Sequence, residues 1–215
     1  MNWTVLGSGT ARPDAARGPA GHLLRVGDRA WLVDCGPGTL TRCAAAGVDP
    51  IHIDGVVLSH HHPDHAADVV ALAFALVPTR RERPLQVWGG RGTAPWWSAM
   101  ERAWGRWVRP PCGVRVRELP LAGPAAIDLM GVTLRTAPAV HRAAALHLRF
   151  EADGRSVVFS GDTAPSDELV TLARGADLLV CECAGSDGAP IPGHMAPSEV
   201  AALVASAQPA EVWLT

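Results

Sequence analysis

Ser59-His60-His61-His62-Pro63-Asp64-His65 decides how the rest of the chain is read. Taken as His60-x-His62-x-Asp64-His65, it places three imidazoles and a carboxylate within six residues. Imidazole nitrogens and carboxylate oxygens are the donors that borderline divalent cations take. Upstream, Gly55-Val56-Val57-Leu58 is a short apolar run rich in β-branched residues, and downstream Ala66 to Val77 is apolar with helical character. The motif therefore belongs on a loop between a strand and a helix. At a strand end, the two-residue spacing of His60 and His62 turns both rings to one side. Asp64 and His65 then open the following helix, within reach of a second cation.

Working outward, 215 residues with 48% hydrophobic content predict one domain, 1–215, with a sizeable core. The longest apolar run, Ala66 to Pro78, is interrupted only by Asp68 and is too short to span a bilayer. Met1-Asn2-Trp3-Thr4-Val5 lacks the basic and apolar regions of a secretory signal and reads as a first strand. Five cysteines, an odd number without framework spacing, fit a reducing compartment, so the expected location is cytoplasmic. A net charge of −2 gives no global reason to expect nucleic acid or an acidic membrane. All 19 basic residues are Arg, which reads as a compositional bias. They are unevenly spread, however: residues 78–117 hold nine Arg against two Glu, a local excess of seven (9 − 2). Such an excess attracts a phosphorylated substrate or partner, or is simply a solvated face.

Asn2–Leu6 reads as a strand running into Gly7-Ser8-Gly9-Thr10, and Ala11 to Pro19, with Pro13, as a loop. His22–Val26 and Ala30–Val33 are strands joined by Gly27-Asp28-Arg29. Asp34 follows at a strand end beside Gly36 and Gly38. It either orients a ligand histidine from behind or caps the helix Thr39–Ala46. Leu85–Trp88 is a strand. Thr93–Val108 is a helix with Trp97, Met100, Trp104 and Trp107 on one face, expected in the core. Leu146–Glu151 and Ser156–Phe159 form a hairpin around Asp153-Gly154. Leu178–Val180 is a buried strand leading into Cys181-Glu182-Cys183, whose two thiols read as packing. Pro197–Ala207 is a helix and Glu211–Thr215 a last strand. His141 and Asp162 each follow a strand and precede a loop.

In this order the residues resemble the metallo-β-lactamase superfamily. His60-x-His62-x-Asp64-His65 carries the likeness, followed by a lone His141 and by Asp162 in Gly161-Asp162-Thr163. Asp34 in Val33-Asp34-Cys35-Gly36 matches a further recurring feature. The resemblance covers essentially the whole chain. It implies an α/β (α+β) fold, a four-layer αββα sandwich with metals at one edge. It assigns His60, His62 and His141 to a first ion and Asp64 and His65 to a second, with Asp162 bridging. Neither a Cys at the bridging position nor a Glu at position 62 is present, which favours two zinc ions over a redox pair, with manganese or iron as alternatives. Two close cations lower the pKa of a bridging water, supply hydroxide near neutral pH and neutralise charge at the centre attacked; Asp64 receives a retained proton. The resemblance also implies a final His directly after a Leu-Thr pair. The sequence stops at Leu214-Thr215, so the second ion either draws a ligand from beyond Thr215 or goes without one.

Gly193-His194-Met195-Ala196-Pro197 resembles the stretch of the phosphodiesterase branch that includes ribonuclease Z. There the histidine contacts the scissile phosphate or protonates the leaving oxygen, so His194 joins Asp64 as a catalytic candidate. The tRNA-clamping insertion of that branch is missing: His141 and Asp162 are 21 positions apart (162 − 141). With the modest net charge, this disfavours tRNA and points to a small or cyclic phosphodiester. The alternatives are a thioester, lactone or β-lactam hydrolase of the same fold, and a non-catalytic scaffold with an incomplete second site. No membrane partner is expected, and a homodimer is left open.

Overall fold

The structure, a computed structural model, describes residues 1–12, 14, 16–121, 126–141 and 144–215. Pro13 and Ala15 of the expected Ala11–Pro19 loop lie outside the described residues. The chain divides into two compact units, Asn2–Leu119 and Pro120–Thr215, Met1 belonging with the second.

The first unit is built on a six-stranded sheet ordered β1 (Asn2–Gly7), β2 (Gly21–Val26), β3 (Arg29–Cys35), β4 (Gly55–Val57), β5 (Leu85–Gly89) and β6 (Val114–Glu118). β1, β2 and β3 are antiparallel neighbours, whereas β3 through β6 pair in parallel. Parallel pairing requires crossovers, and these carry α1 (Thr39–Ala45), α2 (Pro63–Ala66), α3 (Asp68–Leu76) and α4 (Thr93–Trp104). The β4 residues Gly55, Val56 and Val57 are all buried, as a run of β-branched residues in a covered parallel sheet should be. α3 buries Val69, Leu72, Ala73 and Leu76, the i, i+3, i+4, i+7 stripe of an amphipathic helix, into a core with Leu32, Val56, Leu58 and Val87.

Two expected helices differ from the structure. The helix after the motif starts earlier, at Pro63, whose fixed φ suits a first helical position, and is split around Ala67 into α2 and α3. The Thr93–Val108 helix stops at Trp104, because Gly105 takes φ +59°, and Gly105–Val108 forms a 3₁₀ turn. The tryptophan stripe is accordingly not a core face. Trp97 is buried, but Trp104 and Trp107 are 54% and 48% exposed.

The second unit holds the sheet β12 (Glu211–Leu214), β11 (Leu178–Cys181), β10 (Arg155–Phe159), β9 (Leu146–Ala152), β8 (Thr133–Pro138) and β7 (Ile127–Asp128). β10, β11 and β12 are parallel; β7 through β10 are antiparallel. The β9–β10 hairpin turns at Asp153 and Gly154, both with positive φ, the type I′ geometry that matches strand twist. α5 (Asp167–Ala173) is capped by the Ser166 side chain, which accepts from the Leu169 amide. α6 (Pro197–Ala207) opens with Pro197 in its first turn and Glu199 accepting from the Ala196 amide at 2.7 Å. Both helices pack on Val158, Leu179 and Cys181. Among the described residues no helix is long and apolar enough to cross a membrane.

Candidate functional site

In an open α/β sheet, polar groups gather beyond the carboxyl ends of parallel strands. In the first unit β3 ends at Asp34 and Cys35, and β4 leads through Leu58 to Ser59-His60. Asp34 is fully buried and held at φ +54°, a conformation that short Asp and Asn side chains tolerate. Its Oδ1 accepts from the Ser59 amide at 2.7 Å. Its Oδ2 accepts from the Ser59 hydroxyl at 2.7 Å and from His65 Nδ1 at 2.7 Å. Asp34 is therefore not a helix cap; the start of α1 is held instead by Asp68, which accepts from the Gly38 and Leu40 amides.

These bonds decide where the imidazole protons sit. An ionised carboxylate only accepts, so His65 carries its proton on Nδ1. The Ser59 hydroxyl donates its one hydrogen to Asp34, so its oxygen accepts from His60 Nδ1 at 3.0 Å. His60 and His65 thus both present the Nε2 lone pair, the form in which histidine ligates a metal. Their ring centroids lie 4.1 Å apart, and His62 lies 4.6 Å from His60. Asp64 Oδ2 is 3.8 Å from His65 Nε2. Gly36 makes the close approach of this loop feasible: a Cβ there would stand 1.9 Å from the Asp64 carbonyl oxygen. His61 faces other partners, with Nε2 2.7 Å from the Thr93 hydroxyl and its ring stacked on Trp96 at 5.6 Å.

In the second unit β8, β10 and β11 run in one direction, so His141, Asp162 and Glu182 follow strand ends on one rim. His141 Nδ1 donates to the Gly193 carbonyl at 3.0 Å, which leaves its lone pair on Nε2, 3.9 Å from Asp162 Oδ2. The rings of His141 and His194 meet edge to face at 5.2 Å. His194 Nδ1 donates to Glu182 Oε1 at 3.0 Å. Glu182 also accepts from the Thr163, Ala184 and Met195 amides. Burial, with the nearby Asp162 charge, pushes its carboxyl up, against the opposing pull of the Thr163 and Ala184 amides and of His194. Asp162, Glu182 and His194 bring ligand atoms within 4.8 Å of one another, close enough to share a cation.

Glu182 is a further candidate that the sequence reading does not include. Like Asp162 it follows a buried strand, but it lies between two thiols that read as packing. Burial raises the Cys181 thiol to about 12 and the Cys183 thiol above its usual range, so neither is a thiolate at neutral pH.

Known proteins resemble this chain in sequence and fold. The family model described as a beta-lactamase superfamily domain matches residues 29–215. Ribonuclease Z of Mycobacterium bovis (strain BCG / Pasteur 1173P2) is 40% identical over 192 residues, covering 82% of this chain and 68% of that protein. The metallo-β-lactamase fold protein YhfI from Bacillus subtilis superposes with a TM-score of 0.85 at 25% identity, over 99% of this chain and 85% of that one. Human tRNase Z, short form, has the same fold, with a TM-score of 0.80 at 23% identity over 100% and 92% of the two chains. The expectation against tRNA is overturned by these relatives. It set a missing insertion and a modest net charge against tRNA, although eight of the nine Arg in 78–117 are exposed. The two mixed sheets with their helices, the family match and the relatives agree: the chain belongs to the β-lactamase superfamily and is a metallo-β-lactamase-fold hydrolase of the ribonuclease Z-like branch.

Proposed function

We propose that this chain hydrolyses phosphodiester bonds in RNA and that its two units act as one catalytic domain. The observation that carries this reading is the proton placement: His60, His65 and His141 each commit Nδ1 to a fixed acceptor and offer Nε2. The 40% identity to ribonuclease Z supports RNA as the substrate class. His60, His62 and His141 would hold one divalent ion, Asp64 and His65 a second, and Asp162 both, with zinc the first choice for this nitrogen-rich set. Bound there, the ions would lower the pKa of a water and offset charge on the phosphate.

The chain's own residues supply the proton steps. As water adds to phosphorus and the bond to the leaving oxygen breaks, Asp64 takes the water proton. His194 gives a proton to the leaving oxygen. Glu182, fixed by three amides, holds His194 Nδ1 and stabilises the imidazolium before transfer, as a carboxylate behind a general acid does. A reducing cytoplasm fits the five cysteines, none of which is in a disulfide.

The test is turnover of bis(p-nitrophenyl) phosphate and of an RNA oligonucleotide with zinc or manganese added. Both activities should disappear in His62→Ala. No metal-dependent turnover of any phosphodiester by the full chain would reject the proposal. One observation favours a second reading, a small or cyclic phosphodiester: the β9–β10 hairpin takes up most of the span between His141 and Asp162. A cyclic dinucleotide turned over faster than RNA would favour that reading.

A further inference from the structure

The Arg- and Trp-rich segment 78–117 is not used by the chemistry above, and the first unit turns it into a surface. Between α3 and α4 runs a groove of about 770 Å³, within the roughly 300–1,000 Å³ range of ligand sites. Phe74 and Val70 form one wall, Trp96, Met100 and Trp104 the other, and Trp107 the far end. Its near end is His61 and Pro63, which alternate in sequence with His60, His62 and Asp64. Because Gly105 breaks the helix, Trp107 meets Phe74 edge-on at 5.8 Å, and the Arg106 guanidinium lies 4.5 Å from the Trp107 ring centre. Phe74, Trp104 and Trp107 are each about half exposed. Three half-exposed aromatic rings in one groove are more than scattered surface apolarity and mark a binding face.

Charge narrows what binds. Segment 78–117 carries +7, so the rest of the chain carries −9 (−2 − 7). Arg106, exposed and set over the Trp107 ring, is the cation at the groove; Arg102 lies on the other side of α4 from Trp96, Met100 and Trp104, and Arg109 pairs with Glu101. A second copy docking through the same face would bring two Arg106 side chains into a contact whose lining holds no acidic residue to offset them. A ligand that is anionic along one edge and flat and aromatic along the other satisfies both the charge and the rings. Unpaired nucleic acid has that character, and aromatic rings with a basic flank are how single strands are held.

We propose that this groove holds a single-stranded segment of the RNA substrate, with bases on Trp96, Trp104 and Trp107 and a phosphate beside Arg106, leading to the His60–His65 loop. The proposal rests on the RNA reading given above, but its test does not need turnover. Binding of a fluorescein-labelled single-stranded oligoribonucleotide is followed by anisotropy for the full chain, Trp104→Ala/Trp107→Ala and Arg106→Glu. The Trp pair should lose at least about fivefold in affinity per stacked base. Arg106→Glu should weaken binding and flatten the plot of log affinity against log salt by about 0.7 or more. Turnover of bis(p-nitrophenyl) phosphate, which has no base to stack, should stay within about twofold of wild type in all variants, which also certifies their folding. Unchanged oligonucleotide affinity in the Trp pair overturns the proposal. So does a wild-type dimer in sedimentation that the Trp pair dissociates without loss of RNA affinity. Absence of phosphodiester turnover in the wild type with intact, Trp-dependent RNA binding would reject the catalytic reading and support the groove.

Discussion

Asp34→Asn isolates the proton placement on which the candidate metal ligands depend. The change keeps shape and volume, and Asn tolerates φ +54° as well as Asp does, so backbone strain does not confound the result. What changes is the acceptor. Three donors, the Ser59 amide, the Ser59 hydroxyl and His65 Nδ1, lie 2.7 Å from the carboxylate. Hydrogen bonds to a charged group are each worth roughly 1.5–3 kcal/mol and neutral ones about 0.5–1.5, so exchanging three gives a loss on the order of 3–4 kcal/mol. The amide NH₂ now faces two of the donors. The Ser59 hydroxyl turns to accept from it, but His65 accepts only by moving its proton to Nε2, the atom offered to the metal. Metal affinity should therefore fall by about 10–100-fold, the usual effect of losing a ligand's supporting partner. Urea unfolding followed by tryptophan fluorescence measures the first quantity, and zinc competition with a chromophoric chelator the second. Long-range ¹⁵N–¹H correlation of the histidine rings reads the tautomer directly. A variant with His65 still protonated on Nδ1 and metal affinity above the roughly tenfold floor of that range would refute the assigned role.

Gly36→Ala should cost about 3 kcal/mol or more, the upper end for overpacking, because its Cβ would meet two backbone carbonyls, of Asp64 at 1.9 Å and of Ala20 at 2.9 Å, neither at a flexible tip. Gly27→Ala, with nothing within 4 Å but φ +57°, should cost only about 1–2 kcal/mol in the same urea titration. Glu182→Gln should lower kcat for RNA by about 10²–10⁴-fold, and adding His194→Ala should cost little more, since the two side chains act as a unit; additive losses would separate them. Burial holds His147 neutral, with its pKa lowered from 6.5 to about 4 while Nδ1 donates to the Ser160 carbonyl at 2.6 Å. Between those values the unfolded chain binds the proton and the folded chain does not, so stability falls as pH drops from 6.5 towards 4. The loss is about 3 kcal/mol, seen as falling urea midpoints and reduced in His147→Gln.

Much of this fold is legible in local pattern. The strand–loop–helix setting of His60–His65, the Asp153-Gly154 turn and the Pro197–Ala207 helix each depend on neighbours within a few residues. The exceptions depend on contacts that sequence spacing does not carry. Gly36 reads as one more turn glycine until the Asp64 carbonyl is brought against it. A helical wheel over Thr93–Val108 places Trp107 beside Trp97 only if the helix survives Gly105, and it does not. Glu182 hides for a related reason. Of its anchors only Ala184 is near in sequence; Thr163 and Met195 are 19 and 13 positions away, so local spacing does not announce a fixed carboxylate.

The mistaken expectation against tRNA has a different cause. Net charge is a sum over the molecule, whereas a phosphate backbone responds to charges within about one Debye length, roughly 8 Å at physiological salt. A chain of −2 is then compatible with a forty-residue segment that carries most of its exposed arginines, because acidic groups elsewhere are screened before they cancel it. The lack of a clamping insertion restricts how RNA is gripped and leaves open whether it is. Raising salt should therefore weaken RNA binding to this face steeply while leaving bis(p-nitrophenyl) phosphate turnover nearly constant, because the small substrate displaces few counterions. Parallel salt dependence for the two substrates would mean that RNA is held by the metal site alone.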